Sequence, residues 1–254
     1  MKLRYNNVKW SLPLLNENND LMNALYQFLG EDVQNFIDNI YGKIQLPVSA
    51  MEKDFKALLD RSFSLPIEYL IADENIYPQE FESEAFKKHL SFLNEKNASI
   101  VTSREELLNF VKENYPNINV IASEVLSVGQ LEPDKEVEFY ENLASRYDRV
   151  LLHPQYVKGV FLTQYSKFSD LSKYEVFVNW NFNEDWVLTR DELNFLSEQA
   201  GVKHFRLFGE NVPMGFILDI LFKYVFEPDT HTVFGLTEYL KEICFDKGCH
   251  GKNC

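Results

Sequence analysis

Apolar runs rich in β-branched and aromatic residues recur along the chain, separated by longer polar or amphipathic segments. Runs of this length and composition predict β-strands. Their starts lie roughly 20 to 35 residues apart, which leaves room for a strand, a loop and a returning helix, the unit that builds parallel sheets. The predicted strands are residues 8–15, 43–50, 67–73, 98–103, 118–123, 149–154, 174–180 and 204–210.

Helix signals lie between these runs. Ser103 with Glu106, and Thr189 with Glu192, have the spacing of capping boxes, in which the side chains satisfy backbone N–H groups at a helix start. Gly201 follows the second of these segments, where a glycine commonly ends a helix. The alternation of strands and helices therefore extends over most of the chain.

Eight strand–helix units predict an α/β fold, a TIM-like (β/α)8 barrel. We expect a single barrel domain over residues 1–235, with an N-terminal helical insertion at 16–42, followed by a C-terminal helix and cysteine-bearing tail over 236–254. The run 43–50 is the weakest strand because Pro47 lacks a ladder donor. A doubly wound open sheet is the alternative, but no glycine-rich nucleotide-binding loop follows any predicted strand.

Composition and charge restrict the class of partner. The chain is 45% hydrophobic, and 25 Lys and Arg against 39 Asp and Glu give a net charge of -14. Such a surface repels nucleic-acid phosphates and anionic lipids, so the expected partners are a small molecule or peptide, or another protein. There is no apolar run of signal length, and the chain has only 3 cysteines, which predicts a cytoplasmic location.

In a barrel of this type, the carboxyl ends of the strands form the functional face. In "LLHP", His153 lies where an apolar strand ends, and it is the best candidate for an acid or base. Asp73 and Glu124 are candidates for ion binding or proton transfer. Each of these residues also has a structural interpretation, since polar side chains at strand ends commonly cap helices or start turns. The candidates for substrate binding are Ser123, Asn179, Glu210 and Asn211.

All three cysteines lie in the last eleven residues. Cys244, Cys249, His250 and Cys254 form the pattern C-x4-C-H-x3-C, three soft ligands and one imidazole that suit a tetrahedral zinc site or an iron site with an open position. The alternatives are an unliganded tail, because chain ends commonly fray, and a disulfide.

Four stretches carry a resemblance to a known family: "NVIASEVLS", "RYDRVLLHPQ", "YEVFVNW" and "GVKHFRLFGEN". Their order and spacing resemble the successive strands of the collagenase-like (U-thirty-two type) peptidases, over roughly residues 43 to 226. The family typically ends its last strand in lysine-isoleucine-x-glycine-arginine. Gly209 fits that pattern, whereas Glu210 stands in place of the arginine.

The resemblance implies a barrel enzyme with an open mouth. Some family members bind an iron–sulfur cluster through cysteines that follow the strand matching "YEVFVNW", and hydroxylate substrates without oxygen. This chain reads "NWNFNEDW" there, and 3 cysteines fall short of a four-thiolate cluster.

Two functions follow as hypotheses. The first is a diverged hydrolase-like or oxygen-independent hydroxylase-like enzyme that acts on a small molecule or peptide, with zinc or an iron–sulfur cluster at the terminal cysteines. The second is a non-catalytic barrel that serves as a binding or accessory protein. A radical S-adenosylmethionine enzyme is disfavoured because the CxxxCxxC loop is absent.

Overall fold

A closed sheet of eight parallel strands forms the centre of the computed structural model. Each strand pairs with the next along the chain, and the last pairs with the first, so the sheet closes into a barrel. These strands are β2 (Lys9–Pro13), β3 (Ile37–Ile44), β4 (Ile67–Ile71), β5 (Ser99–Thr102), β6 (Asn119–Ala122), β7 (Arg149–Leu152), β8 (Tyr174–Phe177) and β9 (His204–Arg206). A separate antiparallel pair joins β1 (Lys2–Leu3) to β10 (Phe226–Glu227).

The structure describes residues 2–5, 7–13, 33–44, 67–71, 81–132, 134–180, 187–208, 214–227, 235 and 237–238. Within these ranges helical segments follow the barrel strands, which confirms the predicted α/β class. The α-helices are Val33–Phe36, Glu84–Glu95, Glu105–Asn114, Glu136–Arg146, Pro154–Tyr156, Leu162–Gln164, Arg190–Asn194 and Met214–Tyr224. Short 3-10 segments cover Glu124–Ser127, Tyr165–Lys167 and Leu171–Lys173, and π-helical turns cover Val157–Phe161 and Phe195–Ala200.

One strand prediction is wrong. Seven of the predicted runs contain a barrel strand, but the second strand is Ile37–Ile44 rather than 43–50. It occupies the end of the segment that was expected to be a helical insertion. Because β3 bonds to β2 on one side and β4 on the other, its backbone must supply ladder donors along its length, and a position such as Pro47 cannot.

The helix signals are confirmed in part. Thr189 and Glu192 form the predicted capping box, and Gly201 ends its segment in the left-handed conformation at φ 89°. At the helix predicted to start with Ser103 and Glu106, the N-cap is Arg104 rather than Ser103, and the Arg104 side chain makes no capping bond.

The barrel has an outer and an inner apolar layer. Outward-facing strand residues such as Ile100, Val120 and Val176 pack in the main core beneath the helices. Inside the barrel, Val101, Ile121, Leu151 and Phe177 form a second cluster, called the inner apolar layer below. Since successive strand residues face opposite sides, Glu175 faces inward with Phe177. No helix in the described ranges is long and apolar enough to cross a membrane.

Candidate functional site

His153 lies directly after β7, at the carboxyl end of the barrel, which is called the mouth here. Its Nδ1 accepts a hydrogen bond from the backbone N–H of Gln155 at 3.3 Å and so caps the helix that begins at Pro154. Nδ1 therefore carries the lone pair, and a neutral ring has its proton on Nε2.

The surroundings of His153 favour that neutral ring. Burial lowers the pKa of His153, and the nearby negative charge of Glu124 only partly opposes this effect. A neutral imidazole with a protonated Nε2 donates a hydrogen bond, as required to polarise a carbonyl oxygen. Use of Nδ1 as a base would break the capping bond, so the geometry favours the donor role over the base role.

Aromatic side chains line the mouth beside His153. The centroid of Trp180 is 6.3 Å from the His153 ring, 4.5 Å from Phe177 and 5.1 Å from Phe208. Trp180 and Phe208 pack against the inner apolar layer. They follow β8 and β9, so the ends of adjacent strands build one apolar floor next to the imidazole.

Ser123 and Glu124 come to the same end of the barrel after β6. The Ser123 hydroxyl donates to Glu124 Oε2 at 3.1 Å and accepts from the Val125 N–H at 3.5 Å. Ser123 is thus the N-cap of the 3-10 segment. The structure brings Glu124 close enough to His153 for its charge to act on the ring.

Asn179 supports the mouth through the backbone of Phe208. Its Nδ2 donates to the Phe208 carbonyl at 2.8 Å, and its Oδ1 accepts from the Phe208 N–H at 2.9 Å. The side chain is buried. Both ends of the amide are therefore used to join the chain after β8 to the chain after β9, and this pairing sets the position of the Phe208 ring.

Several predicted site residues lie outside the described residues, so their roles stay predictions. Within the described ranges, no group of three or more His, Cys, Asp or Glu side chains is placed to hold a metal ion. The zinc or iron–sulfur hypothesis concerns the tail, which lies outside the described residues. The residues concerned are Asp73, Glu210, Asn211, Cys244, Cys249, His250 and Cys254.

A second constellation, which the sequence analysis missed, lies inside the barrel. At its centre is Arg206, fully buried on β9. Its Nε donates to Glu175 Oε1 at 2.9 Å, and its Nη2 donates to Glu68 Oε1. Both carboxylates are also fully buried. One guanidinium thus joins two carboxylates from two other strands.

The cluster continues toward the amino ends of the strands. Arg149 Nη1 lies 2.6 Å from Asp38 Oδ2 and 3.2 Å from Glu175 Oε2, and His204 Nδ1 lies 3.1 Å from the same Asp38 oxygen. The side chains of Arg149, Asp38 and His204 are 19%, 21% and 19% exposed. These three side chains therefore reach solvent at the end opposite the mouth. The ionic cluster, as it is called below, consists of Asp38, Glu68, Arg149, Glu175, His204 and Arg206.

Neutral groups complete the surroundings of the two buried carboxylates. Ser11 Oγ donates to Glu175 Oε1 at 2.7 Å, and Asn39 Nδ2 donates to Glu68 Oε2 at 3.0 Å. On the mouth side, the Arg206 guanidinium carbon lies 4.4 Å from the centroid of Tyr41 and 5.6 Å from that of Phe177. These rings favour the positive charge.

The two carboxylates that share Arg206 differ in pKa. Burial raises the pKa of Glu175, but the charges of Arg206 and Arg149 outweigh it and bring the value to about 2. Burial raises the pKa of Glu68 most strongly. The positive charge of Arg206 only partly offsets this increase, and the negative charge of Glu175 adds to it, so the pKa of Glu68 rises to about 7. Burial also acts on Asp38, yet the bond to His204 and the charge of Arg149 keep its pKa well below the usual range.

The sequence does carry a signal for this cluster. Single charged residues interrupt the apolar strands "IEYLI", "YEVF" and "HFR". Charges of both signs at inward positions of a closed barrel can pair only with one another. These charges lie inside the strands, whereas the predicted site residues lie at the strand ends.

Comparison with known proteins adds little. No family model matches the chain, and no curated protein matches it. A solved structure of a protein assigned as a glycerophosphodiester phosphodiesterase from Galdieria sulphuraria is similar over 80% of this chain and 94% of that one, at 13% identity and a TM-score of 0.49. Similarity at that level carries no argument about substrate or reaction.

Proposed function

We propose that the chain is a TIM-like (β/α)8 barrel enzyme, diverged from the collagenase-like peptidases, that acts on a small molecule or peptide at the mouth of the barrel. The observation that carries this proposal is the position of the His153 imidazole, whose pKa is lowered by burial, beside Trp180 at the carboxyl end of the strands. A polar donor next to an apolar floor is the usual composition of a small-molecule site.

His153 donates from Nε2 to a carbonyl oxygen of the ligand and so stabilises negative charge that develops there. Trp180 and Phe208 pack against the apolar part of the ligand. Glu124 lies close enough for its charge to act on His153, and it holds an ion or accepts a proton. Asp73 shares that catalytic role, while Ser123, Glu210 and Asn211 complete ligand binding.

The terminal tail is proposed as a metal site. Three thiolates and one imidazole, from Cys244, Cys249, Cys254 and His250, are a donor set that fits tetrahedral zinc. The same set is one thiolate short of a four-cysteine iron–sulfur cluster. Zinc therefore suits the residues present better than a cluster does, and it would supply Lewis-acid chemistry or hold the tail in a fixed structure.

Turnover of a defined peptide mixture tests the enzyme proposal. Wild-type protein and His153→Asn are incubated with the short peptides of a gelatin digest, and loss of each peptide is followed by mass spectrometry. Asparagine is a good N-cap, so this variant removes the imidazole and keeps the helix cap. We expect the wild type to consume specific peptides and the variant to lose at least about a hundredfold in rate.

Equal turnover by both proteins would remove His153 from the mechanism. Absence of turnover by the wild type, together with quenching of Trp180 emission by the same peptides, would instead favour the non-catalytic binding barrel. Glu210 in place of the family's arginine supports that alternative. Trp180→Phe is the control that assigns the quenching to the mouth.

A further inference from the structure

The ionic cluster has a charge imbalance. Arg149 and Arg206 supply two positive charges, whereas Asp38, Glu68 and Glu175 supply three carboxylates. With all three carboxylates ionised and His204 neutral, negative charges outnumber positive charges by one among these described side chains. An unbalanced buried charge is costly, and uptake of one proton removes it.

Glu68 is the carboxylate best placed to take that proton. Glu175 contacts both arginines and accepts from Ser11, and Asp38 contacts Arg149 and His204 at the partly exposed end. Glu68 contacts a single arginine, which it shares with Glu175, and is fully buried. It therefore has the least compensation for a negative charge.

Asn39 provides an acceptor for the proton on Glu68. In the present arrangement Asn39 Nδ2 donates to Glu68 Oε2 at 3.0 Å and makes a longer contact of 3.4 Å to Asp38. Asn39 Oδ1 is buried and has no hydrogen-bond partner within the described part of the chain. Rotation of the amide by half a turn would present this oxygen to a protonated Glu68, and it would replace the long contact to Asp38 with an Nδ2 group in the buried position that Oδ1 now occupies.

A second buried polar atom of the cluster also lacks a hydrogen-bond partner among the described residues. Arg206 Nη1 has no hydrogen-bond partner among the described residues, although the side chain is fully buried. Buried donors are normally satisfied, and the exceptions call for a physical explanation. An unsatisfied donor on Arg206 and an unsatisfied acceptor on Asn39, on either side of Glu68, are consistent with a site that exists in two hydrogen-bonding arrangements.

We propose that Glu68 and Asn39 form a proton-binding site inside the barrel, in which Glu68 binds one proton in the folded protein and the Asn39 amide reverses its direction when the proton binds. The charged and titratable groups that face Glu68 are Arg206 directly, with Glu175, Arg149, Asp38 and His204 behind it. Tyr41 and Phe177 close the side toward the mouth. Protons enter from the amino end, where Arg149, Asp38 and His204 are partly exposed.

The sign of the effect on stability follows from the raised pKa of Glu68. The folded protein holds the proton up to about pH 7, whereas the unfolded chain releases it near the ordinary glutamate pKa of 4.5. The folded state therefore binds more protons between these values, and its stability decreases as the pH rises through this window. At full effect, the unfolding equilibrium constant increases up to about tenfold per pH unit.

Urea unfolding between about pH 5 and about pH 8 measures this dependence. The proteins are the wild type, Glu68→Gln, and Glu113→Gln as a matched control on an exposed helix position. We expect the dependence to persist in the control and to disappear in Glu68→Gln, which mimics the protonated side chain. Retention of the wild-type dependence in Glu68→Gln, with its loss in His204→Asn, would overturn the proposal because the proton would then lie on the imidazole.

Infrared difference spectra between acid and alkaline pH provide a second test that does not require the variant to fold. Wild-type protein should show the C=O band of a buried carboxylic acid that disappears reversibly near neutral pH, and Glu68→Gln should lack it. Absence of this band from the wild type contradicts the proposal. Neither measurement uses catalytic activity, so the result is independent of the function proposed for the mouth.

Discussion

Asn179 holds Phe208 by two hydrogen bonds, one to its carbonyl and one from its N–H, at 2.8 and 2.9 Å. Backbone groups of paired strands form the same kind of hydrogen bonds. Here the Asn179 side chain forms them after β8 and β9 have ended. The pairing therefore extends to the floor of the mouth, where Phe208 packs against Trp180.

Asn179→Asp should destabilise the protein by about 1 to 3 kcal/mol, because a carboxylate oxygen would replace the amide donor opposite the Phe208 carbonyl. Urea denaturation measures the loss. Asn114→Asp is the matched control, since Asn114 Nδ2 also donates to a backbone carbonyl, at 2.8 Å, but on the exposed surface. A loss in Asn179→Asp no larger than in the control would show that the two bonds contribute little.

His153→Ala should lower the melting temperature, since alanine removes the Nδ1 cap on the helix at Pro154. The expected cost is about 1 kcal/mol, or roughly 2 to 4 °C for a chain of this size. His153→Asn should restore most of the loss. Calorimetry separates the outcomes: equal melting temperatures for the wild type and the alanine variant would mean that the cap has no energetic role.

Arg206→Lys should be strongly destabilising, by roughly 3 to 5 kcal/mol, although the charge is kept. A lysine ammonium cannot reproduce the separate Nε and Nη2 bonds to Glu175 and Glu68. The matched control is Arg146→Lys, where the guanidinium pairs with Glu105 at the surface, and its loss should stay within about 1 kcal/mol. Similar losses at the two positions in urea denaturation would contradict the central role of Arg206.

Acid should destabilise the fold through Glu175. Its pKa falls from 4.5 to about 2 in the folded state, so its stabilising contribution is complete above about pH 4.5 and decreases as the pH falls through that range. Glu175→Gln should remove this part of the acid dependence and reduce stability at pH 5 as well. Melting temperatures between about pH 2 and about pH 6 measure both effects, and an unchanged acid profile in the variant would exclude Glu175 as the source.

Metal analysis of protein purified without oxygen tests the tail. If Cys244, Cys249, His250 and Cys254 bind zinc, the purified chain should contain about one zinc ion, and replacement of the three cysteines by serine should abolish it. Stoichiometric iron and sulfide would instead favour a cluster. A metal-free protein with a normal melting temperature would eliminate the tail as a metal site.

The fold was predictable where a run of residues had a single interpretation. The apolar runs at β5 to β9 are bounded by turns and helix starts, so both the strands and their order followed from the pattern. The β3 region was ambiguous: Val33, Phe36, Ile37 and Ile40 recur at the i, i+3, i+4 and i+7 spacing of a helix. The structure forms one helical turn, Val33–Phe36, and then switches to a strand at Ile37 because the neighbouring strands supply its hydrogen-bond partners.

The site was predictable only in part. His153 and Glu124 follow predicted strands, so their location near the mouth could be predicted. Parallel strands bring their carboxyl ends together. The tautomer of His153 and the backbone contacts of Asn179 depend on atoms that only the folded chain brings together. The pairing of Arg206 with Glu68 spans 138 positions, and no local pattern indicates which inward-facing charges will meet.

Along β7 and β8, the ionic cluster, the inner apolar layer and the mouth follow one another in the same order. On β7 the chain passes from Arg149 to Leu151 and then to His153, and on β8 from Glu175 to Phe177 and then to Trp180. The inner apolar layer thus separates the ionic cluster from the mouth, and the Phe177 ring contacts both Arg206 and Trp180. Because this ring is a shared partner, substitutions of Trp180 and Arg206 should have coupled rather than additive energies in a double-mutant cycle, so a change of ligand specificity at the mouth is felt in the barrel interior through one phenyl ring.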